Sequence, residues 1–228
     1  MLHCPVVKRL VIAVDGPSGA GKGTVARAAA RALGYRHVDT GAMYRAVAWE
    51  AARRQVRLDA HGEATRIAAE AAIEMDEGRI RINGQDVTTD IRTPDIDKAA
   101  AVVARIPAVR DVLVERQREL GREGGVVMEG RDIGTVVFPS ADVKIYLDAS
   151  PAERARRRAS DPAHNGGKQG DVAHVAEDLA ARDKSDSTRS VAPLAQAADA
   201  VYIDTTGVPV ADVVARLLAL VHEKAGHA

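Results

Sequence analysis

The sequence predicts an α/β fold: a five-stranded parallel sheet with helices on both faces, a small antiparallel insert and an arginine-rich lid. Three observations carry this. Short, continuous apolar runs alternate with helical stretches; the first run feeds a glycine-rich turn that opens a helix; and two segments of different character interrupt the alternation. Continuous apolar runs are what strands buried on both faces require. They occupy residues 10–14, 126–128, 143–147 and 201–203, with a shorter fifth run near 35–38. Helical stretches occupy 24–33, 42–54, 109–120, 151–159 and 210–224. Residues 73–87, IEMDEGRIRINGQDV, show period-two alternation around Asp-Glu-Gly and Asn83-Gly84 turns, a hairpin signal. Residues 160–171, SDPAHNGGKQGD, are polar and rich in turn formers and read as a mobile loop. Arginines flank that loop on both sides, which favours a closing lid over a plain surface excursion.

Composition narrows the class. A length of 228 residues suits a single domain, here divided into a core (8–40, 101–153 and 190–228), an arm (41–100) and a lid (154–189). Lysine plus arginine and aspartate plus glutamate each number 32, so nothing favours bulk binding to nucleic acid or an anionic membrane. Aromatic residues are 3% of the chain, too few for a base-stacking surface. Cys4 is the sole cysteine, so no intrachain disulfide can form and a reducing compartment fits. Lys8 and Arg9 interrupt the N-terminal apolar stretch, unlike a signal peptide. No apolar run approaches the ~20 residues of a membrane span. The expectation is a soluble cytoplasmic protein without nucleic-acid or membrane partners.

The most informative stretch is GPSGAGKGT: Gly16, Pro17, Ser18, Gly19, Ala20, Gly21, Lys22, Gly23 and Thr24. A buried strand runs into glycines that let backbone N–H groups turn inward. A helix N-terminus follows with unpaired donors and its positive dipole end. Lys22 adds a full charge where β and γ phosphates would lie. An unliganded turn is the plain alternative, but strand, turn, lysine and helix fall in the order phosphate binding needs. The usual pattern places Ser or Thr directly after the lysine. Here Gly23 intervenes and the hydroxyl comes at Thr24.

Three further clusters follow. In DTGAMYR, Thr40 can cap the next helix and Arg45 lies one turn in, at the sheet edge where α/β sites form. Taken alone, an ordinary capped helix would explain it. In Glu129-Gly130-Arg131-Asp132, three charges end a buried strand, which is costly unless they meet ligand, metal or each other. Glu129 is placed like the acidic residue that holds Mg²⁺ water in phosphate-loop proteins. Arg154, Arg156, Arg157, Arg158, Arg182 and Arg189 surround the polar loop, and concentrated arginine in a chain of zero net charge suggests a local polyanion. Helical spacing groups Arg154, Arg157 and Arg158 and turns Arg156 elsewhere.

Together these stretches, with PAVRDVL, EGRDIGTVVFP, KIYLDASPAERARRR and RDKSDSTRSVAPL, resemble the bacterial cytidylate kinases over nearly the whole chain. The GKGT variant is shared by nucleoside monophosphate kinases, and DTGAMYR with EGRDIGTVVFP is specific within them. The resemblance implies a P-loop kinase fold, ATP as phosphoryl donor with Mg²⁺, and CMP or dCMP as acceptor. It implies that residues 16–24 hold the ATP phosphates, with the lid arginines Arg154, Arg157 and Arg158 closing on the donor. Thr40, Arg110, Asp132 and Arg189 match cytosine-recognising positions, with Tyr44 beside them; Arg45 and Arg131 match those that hold the CMP phosphate. Arg182 and Asp186 match residues near the acceptor sugar and phosphates, and Lys22, Arg131 and Arg182 would carry catalysis. Glu129 would reach the metal through water. Ala101 stands where some members have a sugar-contacting Ser. A carboxylate can accept from the cytosine amine while arginine donates to N3 and O2, a pattern uracil cannot match; such mismatches discriminate by ~10⁴. By analogy with this fold, a monomer is expected. Competing readings are a kinase of the same fold acting on UMP, shikimate or gluconate, or a nucleotide-binding switch. The guanine-reading NKxD of GTPases is absent from the sequence.

Overall fold

The computed structural model describes residues 9–58, 61–76, 78–161 and 171–226. The central sheet is built from β1 (Val11–Asp15), β2 (Arg36–Asp39), β6 (Val126–Glu129), β7 (Val143–Asp148) and β8 (Val201–Asp204), in the order β2-β6-β1-β7-β8. Every neighbouring pair is parallel, with Val11 opposite Val126 and Ile12 opposite Val143. Successive side chains alternate between two cores. Ala13, Val126 and Met128 face one; Ile12, Val14 and Val127 face the other. Both faces being apolar, each strand appears in sequence as an uninterrupted hydrophobic run.

Helix α1 (Lys22–Leu33) and the final helix, α8 (Val210–Gly226), cover the second face through Val25, Ala26, Val213 and Leu217. The first face is covered by α2 (Thr40–Arg53), α3 (His61–Glu70), α4 (Pro94–Val103) and α5 (Pro107–Gly121). Between α3 and α4 lies a three-stranded antiparallel sheet of β3 (Ile73–Asp76), β4 (Arg79–Ile82) and β5 (Gln85–Asp86). Asn83 and Gly84 have φ of 51° and 79°, the paired positive values that a two-residue hairpin turn needs, and Ile82 faces Gln85 across it. After β7 come α6 (Pro151–Ala159) and α7 (Val172–Ser187), which pack on each other. Residues 162–170, most of the expected lid loop, lie outside the described residues.

Helices α3 and α4 are not legible as elements in the sequence. The cap of α2 also corrects an expectation. Asp39, not Thr40, is the cap, its Oδ1 accepting from Ala42 N at 3.1 Å. Thr40 is already inside the helix and donates its hydroxyl to the Glu129 carbonyl at 2.7 Å. That bond ties α2 to the end of β6, where the charged residues of the site begin. Among the described residues, no helix is long and apolar enough to cross a membrane.

Candidate active site

The turn after β1 is held open from several sides. At Gly16 φ is 143°, and a Cβ there would lie 1.9 Å from the Leu147 carbonyl oxygen, so only glycine lets the loop pass over β7. Gly21 caps α1 without a side-chain hydrogen bond, leaving the helix's first N–H groups for a ligand. Lys22 is buried, and its Nζ donates back to the Pro17 carbonyl at 2.7 Å. Burial and the neighbouring Arg131 push its pKa down to about 7.

Asp15, at the end of β1, accepts from the Ile133 and Gly134 N–H groups at 2.9 and 2.7 Å. It thereby locks the phosphate turn to the π-helical turn Ile133–Val137 that follows Asp132. Burial raises its pKa to about 6 despite those bonds. No motif singles out Asp15 in the sequence, although it is, like Glu129, a carboxylate ending a buried strand.

One continuous cleft of about 940 Å³ runs from this turn to the arm, near the upper end of ligand-pocket sizes. Its wall includes Lys22, Arg45, Arg131, Arg158, Arg182 and Asp132. Most of the arginines are braced by carboxylates. Arg45 Nη2 donates to Asp39 Oδ2 at 2.8 Å and Arg131 Nε to Asp186 Oδ2 at 2.9 Å. Buried Nε atoms of Arg45 and Arg182 have no protein hydrogen-bond partner. Unpaired buried guanidinium donors are costly, and a bound anion would offset that cost.

At the far end, Arg110 is 2% exposed and pairs through Nη2 with Asp132 Oδ2. Arg189 Nη2 donates to the other oxygen of Asp132 at 3.3 Å. The Arg110 guanidinium lies 5.6 Å from the Tyr44 ring centre, and its Nε and Nη1 remain without a partner. Arg110, Asp132, Arg189 and Tyr44 thus meet at one end of the cleft, with Arg110 donors to spare.

Among the lid arginines, one placement differs from expectation. Arg154 is drawn beneath the phosphate turn, donating through Nη1 to the Ser18 carbonyl at 3.2 Å and to Asp183 at 2.5 Å. It supports the loop from behind, while Arg157 and Arg158 line the cleft. Arg156, expected to point away, is exposed and bound to Glu153 on its own helix at 2.8 Å. Arg157 is braced by Thr205, to whose hydroxyl and carbonyl it donates at 2.9 and 2.6 Å. Asp97, Asp183 and Thr205 have no local signal in the sequence, because each acts through a distant partner.

Glu129 is buried beside the start of α1, its Oε1 2.9 Å from His37 Nε2. Among the described residues, no cluster of three acidic, histidine or cysteine side chains could cage a metal. The oxygen donors present, the Glu129 carboxylate and the Thr24 hydroxyl, suit a hard cation carried mainly by phosphate and water.

A glycine-rich turn that leaves a helix N-terminus open, facing an arginine-lined second compartment across one cleft, is the architecture of a P-loop phosphotransferase. The fold agrees: the crystal structure of shikimate kinase from Bacteroides thetaiotaomicron superposes with a TM-score of 0.51 at 14% identity, covering 93% of this chain and 98% of that one. The family is narrower than the fold. The cytidylate kinase family profile matches residues 12–223. The chain is 48% identical to a cytidylate kinase of Solibacter usitatus over 225 residues, covering 95% of this chain and 94% of that protein. It is 49% identical to one of Pelotomaculum thermopropionicum, covering 92% and 95%. This chain belongs to the cytidylate kinase family.

Proposed function

We propose that this protein transfers the γ-phosphoryl group of ATP to CMP or dCMP, giving ADP and CDP or dCDP. The observation that carries this reading is the buried Arg110–Asp132–Arg189 pocket, opening into the same cleft as the phosphate turn. Asp132 would accept from the cytosine N4 amine with the lone pairs its arginines leave free, and the unpartnered Arg110 N–H groups would donate to the ring acceptors. Tyr44 and Thr40 would frame the base.

A CMP phosphate oxygen is already an anion, so it attacks the γ-phosphorus without a strong general base. The bond to the β-phosphate bridging oxygen breaks and that oxygen leaves on ADP. What the protein supplies is alignment and positive charge. Residues 16–24 hold the donor phosphates; Arg45 and Arg131 hold the acceptor phosphate; Lys22, Arg131 and Arg182 face the transferring group. Arg157 and Arg158 close from the lid side, with Asp186 orienting Arg131. Mg²⁺, held by the ATP phosphates and through water by Glu129, would add neutralising charge. Closure of lid and arm excludes water and limits ATP hydrolysis. A monomer in the cytoplasm completes the reading: the single cysteine fits a reducing compartment, and the monomer follows by analogy with this fold.

A coupled assay of ADP release over CMP, dCMP, UMP, AMP and dTMP tests the assignment. CMP and dCMP should stimulate turnover well above the rest. Equal rates with UMP or AMP, or no response to CMP, would overturn it.

A further inference from the structure

We propose that Asp97 is a positioning residue: its carboxylate, behind the cleft wall, assembles Arg45, Arg158 and Arg182 into the phosphoryl-binding cluster. Asp97 lies in the first turn of α4 and is 8% exposed. Its Oδ1 is 3.4 Å from Arg182 Nη1 and 3.9 Å from Arg45 Nη1, and its Oδ2 pairs with Arg158 Nη2. The three arginines come from α7, α2 and α6, elements separated by long stretches of chain, and all three line the cleft. Asp97 itself does not line it, so it acts through them.

The charge balance explains the need. Three guanidiniums drawn together in a half-buried place repel one another, and each has lost part of its hydration. Burial lowers the Arg158 pKa to about 10; Asp97 raises it, while Arg182 and Arg45 lower it further. Asp97 is the carboxylate the three share, while Asp39 braces Arg45 alone, and the cluster still keeps spare donors, the buried Nε atoms of Arg45 and Arg182. Those donors are what a transferring phosphoryl group can use. On the same face of α4, Ala100, Ala101 and Ala104 carry no charge, so the helix contributes its carboxylate at Asp97 and otherwise presents only small apolar side chains to the cleft.

The inference rests on the phosphoryl-transfer reading, which wild-type turnover with CMP tests by itself; Asp97 is judged by ratios to wild type. Asp97→Asn keeps the shape and removes the charge. Its kcat should fall about ten- to a hundredfold, the scale of a misplaced catalytic group, with KM for CMP changed less than about threefold because Arg45 keeps its bond to Asp39. Asp97→Glu should recover most of the rate. In an Arg158→Ala background, Asp97→Asn should cost much less than it does alone, because the group it positions is gone. Additive losses, a rise in KM without loss of kcat, or failure of Glu to restore more rate than Asn would each overturn the assignment. Should Asp97→Asn not fold, the same cycle with Asp97→Ser gives the coupling, read the same way.

Discussion

Glu129 Oε1 lies 3.2 Å from where a Cβ on Gly23 would stand. A side chain on the residue after Lys22 would therefore crowd the carboxylate at the end of β6, which would have to give by a few tenths of an ångström. Glu129 cannot retreat freely, being bound to His37 at 2.9 Å. Gly23→Ala should therefore fold well, since alanine favours a helix by about 1 kcal/mol over glycine. It should nevertheless lose about tenfold in kcat and need more Mg²⁺ for half-maximal rate, because Glu129 is pushed off its position. Thermal melts and a Mg²⁺ titration check both halves. Wild-type activity with unchanged Mg²⁺ dependence would remove Glu129 from the metal's surroundings.

Lys22 predicts a proton. With its free-state pKa near 7, the amine is largely neutral above about pH 8. Phosphates bound at this turn would replace the Pro17 carbonyl as its partner and restore the charge. ATP binding at about pH 8.5 should then take up close to one proton, and ATP affinity should decline as pH rises beyond 7. Calorimetry in buffers of different ionisation enthalpy measures the uptake. Lys22→Arg, charged throughout this range, should abolish it. Equal uptake by both proteins would place the titrating group elsewhere.

The contrast between strands and site shows what a sequence can carry. Strand β6 is legible because burial on both faces leaves Val126, Val127 and Met128 no polar alternative. Helix α7 carries a weaker signal, because its buried side chains are few, Leu179 and Asp186, and most other positions are polar or small, Val172 and Val175 apart. Arg110, Asp132 and Arg189 are recognisable through family likeness, not through spacing. The cap of α2 falls one residue from its expected place because Asp39 and Thr40 are both good caps, and the Glu129 carbonyl, from a strand 89 positions away, decides between them. Arg154 leaves its expected place for the same reason: Ser18 and Asp183, both distant in sequence, choose its direction.

The base pocket predicts a selective loss. Asp132→Asn keeps the volume but offers an amide to two arginines that now lack their counter-ion, and it reverses one hydrogen-bonding edge. The kcat/KM for CMP should fall about 10²-fold or more, while KM for ATP changes less than about threefold. Selectivity for CMP over UMP should shrink by a similar factor, since an amide can serve either ring. Steady-state kinetics with both acceptors decide it. A uniform loss with selectivity intact would mean that Asp132 only holds Arg110 and Arg189.

Asp15 predicts an unusual pH dependence of stability. Its carboxyl is raised by burial from 3.8 to about 6 in the folded protein. The folded state therefore binds the proton more tightly than the unfolded chain, and this contribution is greatest below pH 4 and is lost as pH rises through 6. The loss amounts to about 3 kcal/mol, because each pH unit between the two values is worth about 1.36 kcal/mol. Paired acids such as Asp39 and Asp186, whose pKa values are lowered, act in the opposite direction and mask it in a simple melt. Comparison with Asp15→Asn isolates it. The variant loses one of the two bonds to Ile133 and Gly134 at every pH, so it should be less stable at pH 4. Because it has no charge to bury, its deficit should narrow or reverse by pH 7. Melting temperatures of both proteins across that range measure the gap, and a constant gap would show that Asp15 is ionised throughout.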